Sequence, residues 1–122
     1  TYVMTGEAGT KRYMAPEVVR CEPNYNEKVD IYSAGMIVWM CTVGEKPFEG
    51  VQPDLIAELT SKRGVRPPVE KMKWPEMEAL VQRMWDEKPE LRPPAEEILD
   101  SVTVMLESVT DEVPRKGCLC CP

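Results

Sequence analysis

The stretch from Val29 to Val43, VDIYSAGMIVWMCTV, constrains this chain more than any other. Read as a helix, it has no polar face from Ala34 to Val43. Met36, Ile37, Val38, Trp39, Met40 and Cys41 point in every direction around the turn. A helix that is apolar all round must be enclosed by other elements. It is too short to cross a bilayer, which takes ~20 apolar residues. It therefore reads as the hydrophobic axis of a soluble domain, with Gly44 as its stop. Asp30 is the exception within it. A carboxylate at the start of a buried helix needs donors, because an unpaired buried charge is costly. Either Asp30 caps its own helix start, where the dipole favours it, or it holds a neighbouring backbone in place.

The length, 122 residues, suits one small domain with one core. The chain begins at Thr1 rather than Met, as a fragment or a processed product would. A net charge of -6 argues against nucleic-acid binding through phosphates. Histidine is absent, which excludes Ser-His or Cys-His catalysis and histidine metal sites within these residues. No apolar run suggests a signal peptide or a membrane span. The 5 cysteines are an odd number, crowded toward the end, and make no disulfide framework; a reducing cytoplasm fits them better.

Taken in order, the chain reads as helices joined by Pro-rich connections, with no convincing strand pattern and no internal repeat. Thr1 to Thr10, TYVMTGEAGT, is an exposed loop whose Thr1, Tyr2 and Thr5 hydroxyls are candidates for phosphorylation or ordinary loop residues. Pro16 restricts Ala15 to extended backbone and can open a short helix through Val19, with Glu17 in its favourable first turn. A polar connector from Cys21 to Lys28 leads to the central helix. GEKPFEG, Gly44 to Gly50, is a second loop, with Phe48 plugging it back onto the core.

Pro53 to Lys62 looks like a short amphipathic helix with Leu55, Ile56 and Leu59 on one face. Gly64 and Pro67-Pro68 end it. Pro75 fits the first turn of another helix, with Met77, Leu80, Val81, Met84 and Trp85 as its apolar face and Trp74 stapling its entry. After a rigid loop, DEKPELRPP, the last helix runs from about Ala95 to Val109. Its expected buried stripe is Ala95, Ile98, Leu99, Val102, Met105, Leu106 and Val109, with Glu96, Glu97 and Asp100 in water. Residues 110–122 read as a flexible tail, in which Arg115-Lys116 precede Cys118, Cys120 and Cys121.

Four features stand in a fixed order: GTKRYMAPE, then DIYSAG on the apolar helix, then KPFEG, then Trp85, Pro89, Arg92 and Pro93 as W-x-x-x-P-x-x-R-P. Together they resemble the C-terminal half of a eukaryotic protein kinase domain, over residues 1–109. Thr10 within GTxxYMAPE is similar to serine/threonine kinases. The Trp85 to Pro93 pattern resembles tyrosine-kinase-like and tyrosine kinases. The combination resembles the tyrosine-kinase-like Ser/Thr group, Raf-like or mixed-lineage.

The resemblance implies a mainly α fold, the helical lower lobe of the kinase fold without its upper lobe and catalytic loop. It implies that Ala15, Pro16 and Glu17 close the activation segment and that Glu17 pairs with Arg92 in a buried bridge. It implies that Asp30 holds the catalytic-loop backbone and that Thr10 lies in the loop receiving the substrate's next residue. Thr1, Tyr2 and Thr5 become activation-loop phosphosites, acted on by an upstream kinase. Ala34 departs from the family, which usually has an aromatic there.

Phosphoryl transfer needs a Gly-rich loop, a lysine, a catalytic Asp and Asn, and a Mg-binding Asp. The chain has no GxGxxG, no HRD and no DFG. ATP and Mg2+ are therefore implied for a longer parent, and this piece alone is expected to be inactive, to hold no metal and to fold poorly by itself. It would supply the activation segment, protein-substrate docking and scaffold helices. A pseudokinase, a binding scaffold with the same fold, is the alternative, because the diagnostic residues lie upstream. The tail is either disordered with free thiols or S-acylated at Cys118, Cys120 and Cys121, which would add membrane contact to a cytoplasmic protein.

Overall fold

The computed structural model describes residues 11 to 112. Among them it contains helices and no strand. Five α-helices follow in order: α1 Pro16–Val19, α2 Lys28–Val43, α3 Pro53–Lys62, α4 Pro75–Met84 and α5 Ala95–Glu112. Short 3-10 turns lie at Lys11–Tyr13 before α1, at Val69–Met72 between α3 and α4, and at Pro89–Leu91 between α4 and α5.

Proline opens three of these helices at the first position, where its missing N–H would have had no partner anyway. The α4 start gains a further bond. The Trp74 N–H donates to Glu78 Oε2 at 3.1 Å, and Trp74 packs against the core as the entry staple. At the other end of α2, Gly44 takes a left-handed φ of 84° and its N–H reaches the Met40 carbonyl at 2.8 Å. The Lys28 N–H at the α2 start is taken by Asn26 Oδ1 at 3.0 Å, so Asn26 and not Asp30 serves that end.

The core forms where α2 lies against α4 and the Val69–Met72 turn. Tyr32, Met36 and Trp39 of α2 meet Met77, Leu80, Val81 and Met84 of α4, with Met72 and Trp85 completing the cluster. The Trp39 indole N–H donates to the Pro68 carbonyl at 2.9 Å, so a large ring is buried without an orphaned donor. Gly35 makes the α2–α4 contact close. A Cβ there would stand 3.1 Å from Met84 Cβ. Phe48 packs against the same cluster from the loop after α2.

Four expectations change. First, α2 is not enclosed on every side among the described residues: Ile37 is 46 % exposed and Cys41 is exposed, although α4 and all three 3-10 turns pack against the helix. Second, α3 buries Ile56, Ala57 and Thr60, while Leu55 points outward at 47 %. Leu55 and Ile56 are neighbours ~100° apart on the helix, and one contact line cannot hold both. Third, α5 docks by one edge. Met105 is buried and Ile98 and Val102 pack beside it, but Leu99 and Leu106 are 67 % and 54 % exposed and Ala95 and Val109 also face outward. Fourth, α5 continues through Glu112, past the expected helix end at Val109.

Candidate functional site: a buried ion pair and an anchored segment

α1 is short, yet it places Glu17 with care. Cys21 adopts φ 56° just past the helix end. Its N–H reaches the Val18 carbonyl at 3.0 Å, and the Glu22 N–H reaches the Glu17 carbonyl at 3.0 Å. This is a left-handed helix stop of the kind glycine normally makes. It fixes the backbone of Glu17 while the side chain turns inward.

Glu17 and Arg92 meet in a bidentate pair, Nη1 to Oε2 at 2.9 Å and Nη2 to Oε1 at 3.0 Å. Glu17 is 5 % exposed and Arg92 1 %. Arg92 uses its remaining donors on backbone: Nε on the Asp86 carbonyl at 2.9 Å and Nη1 also on the Lys28 carbonyl at 3.0 Å. Lys28 returns a bond from Nζ to the Arg92 carbonyl at 2.6 Å. A planar five-donor guanidinium suits this work, which an ammonium would not do. The pair therefore ties α1, the start of α2 and the loop before α5 to one point.

Tyr32 lies beside it, fully buried between two guanidiniums. Arg92 stands 5.2 Å and Arg66 5.1 Å from its ring centroid. Burial pushes the Tyr32 phenol up to about 12, against the opposing pull of the Arg66 and Arg92 charges. Its hydroxyl has no hydrogen-bond partner among the described residues; the nearby Thr60 hydroxyl donates to the Ala57 carbonyl at 3.3 Å. Arg66 donates to the Trp85 carbonyl at 2.9 Å and pairs with Glu87 at 3.2 Å, and Glu87 also takes Arg20 at 2.8 Å. Partial burial works against the Arg20 charge, but the bonds and charges of Glu87 and Glu22 outweigh it and hold Arg20 above its usual range. No pattern in the sequence marks Arg66 or Glu87, because the cluster exists only once three separate segments meet.

Residues 11 to 13 are held on three sides. Lys11 pairs with Asp54 at the start of α3. Arg12 Nη1 donates to the Pro47 and Phe48 carbonyls at 2.6 and 2.8 Å. The Tyr13 hydroxyl donates to Met40 Sδ at 3.3 Å, and its carbonyl accepts from Ser33 Oγ at 2.7 Å. Ala15 and Pro16 are buried at the end of this segment.

The remaining sequence candidates separate. The Asp30 side chain is exposed, and no partner for it is found among the described residues, so it neither caps α2 nor sits buried. Its backbone N–H bonds Glu27 O at 3.0 Å inside the first turn. Thr1, Tyr2, Thr5, Thr10, Cys118, Cys120 and Cys121 lie outside the described residues. No described helix is long and apolar enough to cross a membrane.

The described residues form a helical body whose Lys11–Glu17 segment is locked by a buried carboxylate–guanidinium pair. The comparisons narrow its class. Residues 1–103 match the family described as Protein kinase domain. The chain is 34 % identical over 116 residues to serine/threonine-protein kinase STY46 of Arabidopsis thaliana, covering 95 % of this chain and 20 % of that protein. It is 35 % identical over 112 residues to serine/threonine/tyrosine-protein kinase HT1 of the same plant, covering 92 % of this chain and 27 % of that protein. Against mitogen-activated protein kinase kinase kinase 7 of Bos taurus it is 36 % identical over 104 residues, or 84 % of this chain and 18 % of that one. The chain belongs to the protein kinase family. It spans about a fifth of the length of the first two Arabidopsis relatives it matches.

The family implies ATP and Mg2+, and the residues present do not fit either. The chain carries no GxGxxG, HRD or DFG. No group of three or more potential metal ligands occurs among the described residues.

Proposed function

We propose that this chain is the substrate-side, C-terminal part of a serine/threonine protein kinase of the tyrosine-kinase-like group, residues 1–109 being kinase domain and 110–122 a tail. The parent transfers the ATP γ-phosphate to protein Ser or Thr in signal transduction. This part contributes the end of the activation segment, the docking floor for the protein substrate and the scaffold helices. It transfers no phosphate alone. The observation that carries the reading is the buried Glu17–Arg92 pair in a chain of this family, because it fixes the end of the Lys11–Glu17 segment to the helical body.

In this reading Thr10 helps position the substrate hydroxyl, and Asp30 holds backbone that precedes Thr1. Thr1, Tyr2 and Thr5 are phosphorylated by an upstream kinase. Cys118, Cys120 and Cys121 are S-acylated and hold an otherwise cytoplasmic parent at a membrane, helped by Arg115 and Lys116. Metabolic labelling with a fatty-acid analogue checks that last point. Label that disappears when the three cysteines become serine supports it; label unaffected by the change, or none at all, removes it.

The sequence of the transcript upstream of the Thr1 codon tests the main reading. A β3 lysine, an HRD loop with its Asn and a DFG support it. A kinase fold with the catalytic or Mg-binding Asp replaced turns the protein into a binding scaffold. A start codon close to Thr1 withdraws the enzyme.

A further inference from the structure

Lys11–Tyr13 is anchored through all three of its side chains, and its central contact falls on two successive carbonyls. Arg12 places one nitrogen between two successive carbonyls, Pro47 at 2.6 Å and Phe48 at 2.8 Å. Successive carbonyls of extended backbone point to opposite sides, so no single cation reaches both. Here Phe48 takes a left-handed φ of 55°, a conformation costly for a residue with a Cβ. A helical-type residue of either hand turns both carbonyls to one side, and Arg12 occupies that side. The Phe48 ring holds the turn by packing on the core cluster. Local backbone strain of this kind persists only where surrounding structure over-determines it.

We propose that Arg12 is a positioning residue for the protein substrate. Through the Pro47 and Phe48 carbonyls it fixes the backbone two residues after Thr10 to the loop after α2. The described end of the loop that receives the residue following the phosphorylated hydroxyl is thereby held in place. This rests on the kinase reading above, in which Thr10 belongs to that loop. The other contacts divide the work. Lys11–Asp54 is an ion pair with Asp54 87 % exposed, which screening makes weak. Ser33 and Met40 hold Tyr13, one residue further from Thr10. Arg12 alone combines full charge, partial burial and two acceptors. Charge-assisted bonds of this kind are the strong ones.

The chemistry predicts where a loss falls. ATP is bound by residues outside this chain in that reading, so its KM is insulated from Arg12. A protein substrate docks against the loop itself and is not. The test uses the complete kinase that contains this chain, with a peptide substrate it phosphorylates. Arg12→Ala raises the peptide KM about tenfold, as loss of a charge-assisted contact does, while the ATP KM stays within about twofold. Arg12→Lys keeps the charge and recovers part of the loss, but not all, because its single nitrogen can also donate twice yet sits on a stem one bond shorter. Lys11→Ala changes the peptide KM by less than about twofold, since its pair is exposed. Hydrogen exchange in Arg12→Ala accelerates at the amides of Met14 and Val51, which bond the Lys11 and Phe48 carbonyls.

An active enzyme whose peptide KM and Met14 and Val51 exchange are unchanged in Arg12→Ala overturns the role of Arg12 and leaves the kinase reading standing. An equal rise in the ATP and peptide KM values shows general damage and also overturns it. A complete wild-type protein that transfers no phosphate overturns the kinase reading, and the substrate role of Arg12 falls with it.

Discussion

Glu17 and Arg92 lie 75 residues apart and meet through two parallel N–H···O bonds of 2.9 and 3.0 Å, almost without solvent. The pair is the point where the Lys11–Glu17 segment is fastened to the connection before α5. Removing one member leaves the other buried and unpaired. Arg92→Ala should therefore destabilise the complete protein by ~3–5 kcal/mol in denaturant melts. Replacing both residues by methionine should recover most of that, because two apolar side chains of similar length leave no stranded charge. A double variant as unstable as the single one would mean that the backbone contacts of Arg92 to Asp86 and Lys28 matter more than the ion pair.

Tyr32 gives the protein an alkaline limit. Its phenol is raised to about 12 from the ordinary 10, so the folded state holds the proton more tightly than the unfolded chain does. The contribution is fully present below pH 10 and is lost as pH rises through about 12. This tighter hold on the proton corresponds to ~2–3 kcal/mol. Tyr32→Phe keeps the ring between the two guanidiniums and removes a hydroxyl with no partner. It should be close to neutral at pH 7 and should flatten the fall in stability between pH 10 and 12. Melts of wild type and variant across that range decide it; parallel curves would contradict the burial of the phenol.

The α2–α4 contact depends on a missing side chain. Alanine normally stabilises a helix interior by ~1 kcal/mol over glycine. At Gly35 its Cβ would meet Met84 Cβ at 3.1 Å, and a Cβ cannot swing aside as the end of a long side chain can. Gly35→Ala should destabilise by ~1–2 kcal/mol despite the propensity gain, because the helices must separate. A thermal melt showing stabilisation would place α2 and α4 further apart than they lie here.

Local chemistry made part of this fold legible. Pro16, Pro53 and Pro75 announce three helix starts, Gly44 announces a stop, and the α4 stripe from Met77 to Trp85 is buried as its spacing requires. The family resemblance that the ordered motifs carry also implied that Glu17 and Arg92 pair. What the sequence leaves open is which apolar edge is covered. The α5 apolar residues span a wide arc, and spacing alone does not say that Ile98, Val102 and Met105 face inward while Leu99 and Leu106 face out. Arg12 was equally silent. Its partners lie 35 and 36 residues away, and a backbone carbonyl carries no residue-type signal. Asp30 is a separate case: it is exposed and does not cap α2, and the backbone it is proposed to hold lies outside this chain.

The most direct test of the central claim is phosphate transfer by the complete polypeptide that contains these residues. It would be incubated with radiolabelled ATP, Mg2+ and a general protein acceptor, followed by phosphoamino acid analysis. Labelled phosphoserine and phosphothreonine, absent from a parallel reaction with residues 1–122 alone, are the predicted result. Transfer by residues 1–122 alone, label only on tyrosine, or no transfer by the complete protein would contradict the account.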